Sequence, residues 1–128
     1  MKKILVPYDF TAVAKHALDF ACEIAEKSQG SIQLLNIIEH PTADSFRTMG
    51  IQEVDPMEQL YIKKMIESVE SRLHAIISDA AYKDERMTYK IQLGNAFNTI
   101  IDEIAEEKVD LVVMGTEGAD GLNKYFVG

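Results

Sequence analysis

Two short segments carry the residue types that could do chemistry. The first is Ile4-Leu5-Val6-Pro7-Tyr8-Asp9, an apolar run that ends on a carboxylate. The second is Leu111-Val112-Val113-Met114-Gly115-Thr116-Glu117-Gly118, an apolar run that opens into Gly-x-x-Gly, with a further glycine at Gly128. A continuous apolar run is the pattern of a strand covered on both faces. A glycine-rich segment after such a strand lets backbone N–H groups approach and cradle phosphate oxygens. A carboxylate at a strand end can accept hydrogen bonds from a ribose or from the amine of a base. It can equally cap the helix that follows, as aspartate commonly does. Both roles stay open for Asp9 on spacing alone.

Other chemistry-bearing residues are dispersed. His16, His40 and His74 have no second histidine or cysteine at metal-ligand spacing. Cys22 is the single cysteine, so no internal disulfide forms, and its place among small residues reads as a packed thiol. Asp44, Glu53, Asp55 and Glu58 read as solvated charges and a helix cap. There is no Gly-x-x-x-x-Gly-Lys-Ser/Thr, no G-x-S-x-G, and no G-x-G-x-x-G after the first apolar run. No general base is evident among these residues.

These residues must be held by a scaffold, and the chain spells one out. Thr11 fits a helix N-cap, followed by Ala14, Ala17, Leu18, Ala21, Ile24 and Ala25 at helical spacing, with Gly30 as the stop. Residues 31–38 read as a second strand and residues 40–54 as a long loop. Asp55-Pro56 starts a helix, with proline at its first position. Its inner face is Ile62, Ile66, Val69, Leu73, Ile76 and Ala80. Residues 87–93 alternate as a third strand, broken by Gly94-Asn95. Phe97, Ile100, Ile101, Ile104 and Ala105 mark the apolar face of a third helix, and residues 110–114 a fourth strand. Strands alternating with amphipathic helices imply an α/β fold, an open parallel sheet with helices on both faces. In such sheets ligands bind beyond the carboxyl ends of the strands, which is where Asp9 and Gly115 both fall.

The chain of 128 residues suits a single domain, with 47% hydrophobic and 27% charged residues. Its 21 acidic against 13 basic residues give a formal charge of −8. Nucleic-acid binding, which needs a basic face, is therefore not expected. Nothing approaches the ~20 apolar residues of a membrane span, and the apolar start is too short for a signal peptide. A cytoplasmic protein is expected.

Val6-Pro7-Tyr8-Asp9-Phe10-Thr11 resembles the V-P-x-D-x-S/T opening of the universal stress protein (UspA-like) family. Gly115, Gly118 and Gly128 resemble the glycines of that family's G-x2-G-x9-G-S/T motif. The resemblance implies a sheet in strand order 3-2-1-4-5. In this chain it leaves 3-2-1-4 with the fifth strand missing, so that residues 1–128 form one C-terminally incomplete universal-stress-type domain. It implies binding of ATP or another adenine nucleotide, such as AMP, in a stress-response or regulatory role. Asp9 would sit at the adenosine end and Ile38 would line the adenine pocket. Met114 and Gly115 would approach ribose or base, and Gly118 and Gly128 would meet the phosphates. The Ser/Thr expected after the third glycine is absent, and Glu117 and Asp120 place negative charge where phosphates belong. A divalent ion such as Mg²⁺ would then be needed to bridge them. The alternative within the same family is a nucleotide-free dimerisation or scaffold module. Strand four has an apolar pattern and, on this reading, nothing beside it, so a homo-oligomer is expected, with that strand at the interface.

Overall fold

The computed structural model describes residues 2–39, 55–80, 82, 85–117 and 123–127; for 116, 117 and 123–127 it describes the backbone alone. Gly118 and Gly128 lie outside the described residues, as does the expected loop at 40–54. In chain order the elements are β1 (Lys3–Pro7), α1 (Ala12–Ser28), β2 (Ser31–Ile38), α2 (Pro56–Asp79), β3 (Met87–Leu93), α3 (Ala96–Glu106), β4 (Leu111–Glu117) and β5 (Asn123–Val127).

The strands run in the order β3-β2-β1-β4-β5. The first four are parallel, with Val6 opposite Leu34, Leu34 opposite Tyr89, and Leu5 opposite Val112. This is the expected parallel 3-2-1-4 arrangement. Among the described residues the parallel fifth strand is absent, as expected, but the edge carries a strand of another kind that was not anticipated. β4 continues to Glu117, and β5 returns antiparallel beside it, pairing Gly115 with Tyr125 and Met114 with Phe126. The exposed edge on which self-association was expected is therefore paired within the chain. The extra strand was missed because a short antiparallel return needs only a turn, not the long crossover that a parallel strand requires.

Each helix starts on a local cap. Thr11 Oγ1 accepts from Ala14 N at 3.2 Å. Asp55 Oδ1 accepts from Met57 N at 2.8 Å, ahead of Pro56. Asn95 Oδ1 accepts from Asn98 N at 3.0 Å. Such caps stabilise a helix by about 0.5–2 kcal/mol each. At the end of α1 the left-handed residue is Gln29, φ 56°, not Gly30. Gly30 serves a close approach instead, because a Cβ there would sit 2.7 Å from the Lys2 carbonyl oxygen.

Both crossovers from β1 to β2 and from β2 to β3 move the same way, so right-handedness puts α1 and α2 on one face of the sheet. The connection from β3 to β4 reverses direction and places α3 on the other. On the first face Ile4, Val6, Ile32, Leu34 and Val113 pack under Ala17, Leu18, Ala21, Val69 and Leu73. Burial of each large apolar chain there contributes roughly 1.5–3 kcal/mol. The alanines of α1 let that helix lie low on the sheet.

The second face departs from the expected pattern. α3 turns Thr99 and Glu103 inward, while Phe97 is 72% and Ile101 50% exposed. The cause lies in β3, whose residues on that face include Lys90 and Gln92. Lys90 Nζ meets Glu103 Oε1 at 2.7 Å, and Gln92 Nε2 donates to the same oxygen at 3.4 Å. Pairing this buried carboxylate through Oε1, its Oε2 having no partner among the described residues, takes precedence over burying the helix's apolar stripe, because an unpaired buried charge costs more than an exposed isoleucine. Glu103 holds the Lys90 ammonium in its charged form well into the alkaline range.

Candidate functional site

The chain leaving β1 is held at every step. Tyr8 N donates to Leu35 O at 2.8 Å. Tyr8 O accepts from the buried Asn36 Nδ2, also at 2.8 Å. Burial, reinforced by Asp19 and Asp9, pushes the Tyr8 hydroxyl above its ordinary pKa, against a smaller opposing pull from Arg72. The tyrosine thus stays neutral. The next turn is taken by Phe10 at φ 66°, a left-handed conformation that costs a side-chain-bearing residue roughly 1–3 kcal/mol. Its ring is gripped on two sides. Tyr8 stands edge-on at 5.2 Å, and the Arg72 guanidinium from α2 lies 3.8 Å from the ring centroid. These contacts offset the backbone cost and fix the direction in which Asp9 leaves the strand.

Asp9 Oδ1 accepts from Thr11 N at 3.1 Å and from Thr11 Oγ1 at 2.5 Å. The capping role weighed for Asp9 is therefore present. It occupies one carboxylate oxygen and leaves Oδ2 without a partner among the described residues. Asp9 is exposed to a cavity of about 190 Å³ at the carboxyl ends of the central strands. From β1 the lining takes Pro7, Tyr8 and Asp9, and from β4 Met114 and Gly115. Leu35, Ile37 and Glu39 line it from β2 and its end, and Ala96 and Ile100 from α3.

The cavity thus brings together Asp9, Met114 and Gly115 of the anticipated site. Ile38 is not among its lining residues. It is buried, and its neighbour Ile37 takes the cavity position. Adjacent strand residues point to opposite faces, so a one-residue shift exchanges lining for core. Gly115 also differs from its expected place in a loop. It lies inside β4 without a positive φ, and its lack of a Cβ serves packing. A Cβ would stand 2.5 Å from the Val13 carbonyl oxygen in the first turn of α1. Gly118 and Gly128, expected at the phosphates, fall outside the described residues.

Glu39 was not anticipated. It follows the last residue of β2, and its Oε1 accepts from Ala96 N, the first residue of α3, at 2.7 Å. The rule that directed attention to Asp9, a carboxylate just past the carboxyl end of a central strand, applies equally to Glu39 and would have found it. Among the described residues no group of three or more His, Cys, Asp or Glu side chains gathers as a metal site. Cys22 is buried in the core, where burial raises its thiol pKa. No helix among the described residues is long and apolar enough to cross a membrane.

The fold has counterparts among known proteins. A protein of Staphylococcus aureus (strain USA300), named as a universal stress protein, is 23% identical over 128 residues, covering 99% of this chain and 73% of its own length. The solved structure of hypothetical protein MJ0577 superposes with a TM-score of 0.67 at 24% identity, over 94% of this chain and 78% of that one. UspA from Lactobacillus plantarum gives a TM-score of 0.59 at 21% identity, over 93% and 79%. A universal stress protein solved in complex with cAMP gives 0.52 at 16% identity, over 87% and 73%. The profile of the Universal stress protein family matches residues 1–128, and the chain belongs to that family.

Proposed function

We propose that this chain binds an adenine nucleotide at the strand-end cavity, in a regulatory role in the stress response. The observation that carries the proposal is the convergence of Asp9, Glu39, Met114 and Gly115 on one cavity at the junction of β1 and β4. That junction is where the strand order reverses direction, the usual ligand position of an open α/β sheet. The apolar walls, Leu35, Ile37, Ile100 and Met114, suit the faces of a purine. The carboxylates suit its exocyclic amine and the ribose hydroxyls, all hydrogen-bond donors. A protein of the same fold solved with cAMP, itself an adenine nucleotide, supports the choice of base.

The test is equilibrium binding of adenosine and AMP to the intact chain, with guanosine as the control. Guanosine offers a carbonyl where adenosine offers an amine, and it should bind at least about tenfold more weakly. Asp9→Ala should weaken the adenine compounds. Equal binding of both bases would remove adenine from the proposal. No binding of either would favour the nucleotide-free scaffold.

A further inference from the structure

Among the described residues three that carry side chains take left-handed backbone: Phe10 at φ 66°, Gln29 at φ 56° and Lys108 at φ 53°. Gln29 and Lys108 follow the last turns of α1 and α3, where such a conformation commonly ends a helix. Phe10 stands before a helix, directly after the cavity-lining Asp9. Glycine would take this turn without steric cost, whereas a bulky aromatic residue is strained there. Strained residues persist only where their surroundings hold them, and they gather at functional sites. The Arg72 guanidinium lies 3.8 Å from the Phe10 ring centroid, and Tyr8 stands edge-on to that ring at 5.2 Å. Leu73, the next residue of α2, is fully buried and fixes the point from which Arg72 reaches. Arg72 itself is not among the residues that line the cavity.

We propose that Arg72 is a positioning residue for the strand-end site: by stacking on Phe10 it holds the left-handed turn that aims Asp9, so that α2 controls ligand affinity without touching the ligand. The proposal rests on the adenine reading above for its ligand, while the turn itself exists without one. A guanidinium suits the task because it is planar, permanently charged and weakly hydrated, and so can lie on a ring face near the surface. The chain before Asp9 is already fixed, since Tyr8 N donates to Leu35 O and Tyr8 O accepts from Asn36 Nδ2. The freedom left to Asp9 lies in the Phe10 turn. A Phe10 that relaxed to negative φ would swing Thr11 away and break its two bonds to Asp9 Oδ1.

Two measurements test this, one of them without ligand. Arg72→Met keeps an apolar stem and removes the charge. In amide hydrogen exchange followed by NMR, that variant should speed exchange at Thr11 at least about threefold relative to Leu34 in the sheet core. Arg72→Lys, which restores a cation, should recover part of the protection. In titration calorimetry with adenosine, Arg72→Met should weaken binding about fivefold. Phe10→Gly removes both the ring and the strain, so in that background the same substitution should change affinity by less than about twofold. Thr11 exchange unchanged by Arg72→Met would overturn the proposal. An equal loss of adenosine affinity with and without the Phe10 ring would also overturn it, because Arg72 would then act by another route. Absence of adenosine binding by the unsubstituted chain would overturn the adenine reading and the control of affinity with it, and the exchange measurement would still decide whether Arg72 holds the turn.

Discussion

Two concavities share the wall formed by α3, and they differ in every property that matters for binding. The strand-end cavity is small, about 190 Å³, and mixes apolar walls with Asp9 and Glu39. The groove between α3 and β4 is larger, about 500 Å³, and among the described residues is lined by Phe97, Ile101, Ile104 and Val112 with no charged side chain. Ala96, Ile100 and Met114 belong to both. Area and apolarity alone would choose the groove. Specific recognition, however, depends on a few polar groups held in fixed directions within an apolar surround. In the cavity those groups are held by the strained Phe10 turn, the Arg72 contact and the cap on Ala96. In the groove no polar side chain is positioned among the described residues. The difference separates a surface that is merely uncovered from one that is built.

The largest expected effect falls on the shared wall. Lys90→Ala would leave Glu103, nearly fully buried, with only the 3.4 Å contact from Gln92. Removing one partner of a buried pair costs about 3 kcal/mol, measured by denaturant unfolding, and both concavities should loosen together. The pH dependence has a definite sign. The Lys90 pKa is raised in the folded chain, so its contribution is fully present below the unfolded-state value and is lost as pH rises through the folded one. Wild-type stability should therefore fall at strongly alkaline pH, and Lys90→Ala should lose that part of the fall.

Next comes Gly115→Ala, which acts on the cavity side alone. The added Cβ meets the Val13 backbone at 2.5 Å, so α1 and β4 must part. Overpacking of this kind costs about 1–3 kcal/mol, readable as a lower melting temperature, and adenosine binding should weaken with it. Asp9→Ala should cost less, about 0.5–2 kcal/mol, through the lost bonds to Thr11. Its binding loss should be larger than its stability loss accounts for. A variant destabilised by that amount with unchanged adenosine affinity would reduce Asp9 to a cap. The smallest effect belongs to the groove. Ile101→Ser alters an exposed residue and should change stability by no more than about 0.5 kcal/mol, with adenosine affinity unchanged.

The same contrast shows what was legible in the sequence. The first sheet face was, because Ala14, Ala17, Leu18 and Ala21 repeat with the helical period and Ile4-Leu5-Val6 is unbroken. Propensity and burial agree there. The α3 face was not, because its periodicity points to Phe97 and Ile101 as the buried stripe. What reverses it is the long-range pair of Lys90 with Glu103, which no local pattern records. At the site, the positions of Asp9 and Gly115 followed from strand ends. Ile37 in place of Ile38 is a register detail that the continuous apolar run Ile37-Ile38 cannot resolve. The glycine of Gly115 was legible as a close approach, but what approaches is the first turn of α1.

The most direct measurement is a two-dimensional NMR titration of the labelled chain with adenosine, following backbone amide and methyl resonances. The account predicts progressive shifts concentrated at Asp9, Ile37, Glu39, Ala96 and Gly115, with Phe97, Ile101 and Ile104 little changed. Shifts confined to Phe97, Ile101, Ile104 and Val112, with the strand-end residues silent, would place the ligand in the apolar groove and contradict it.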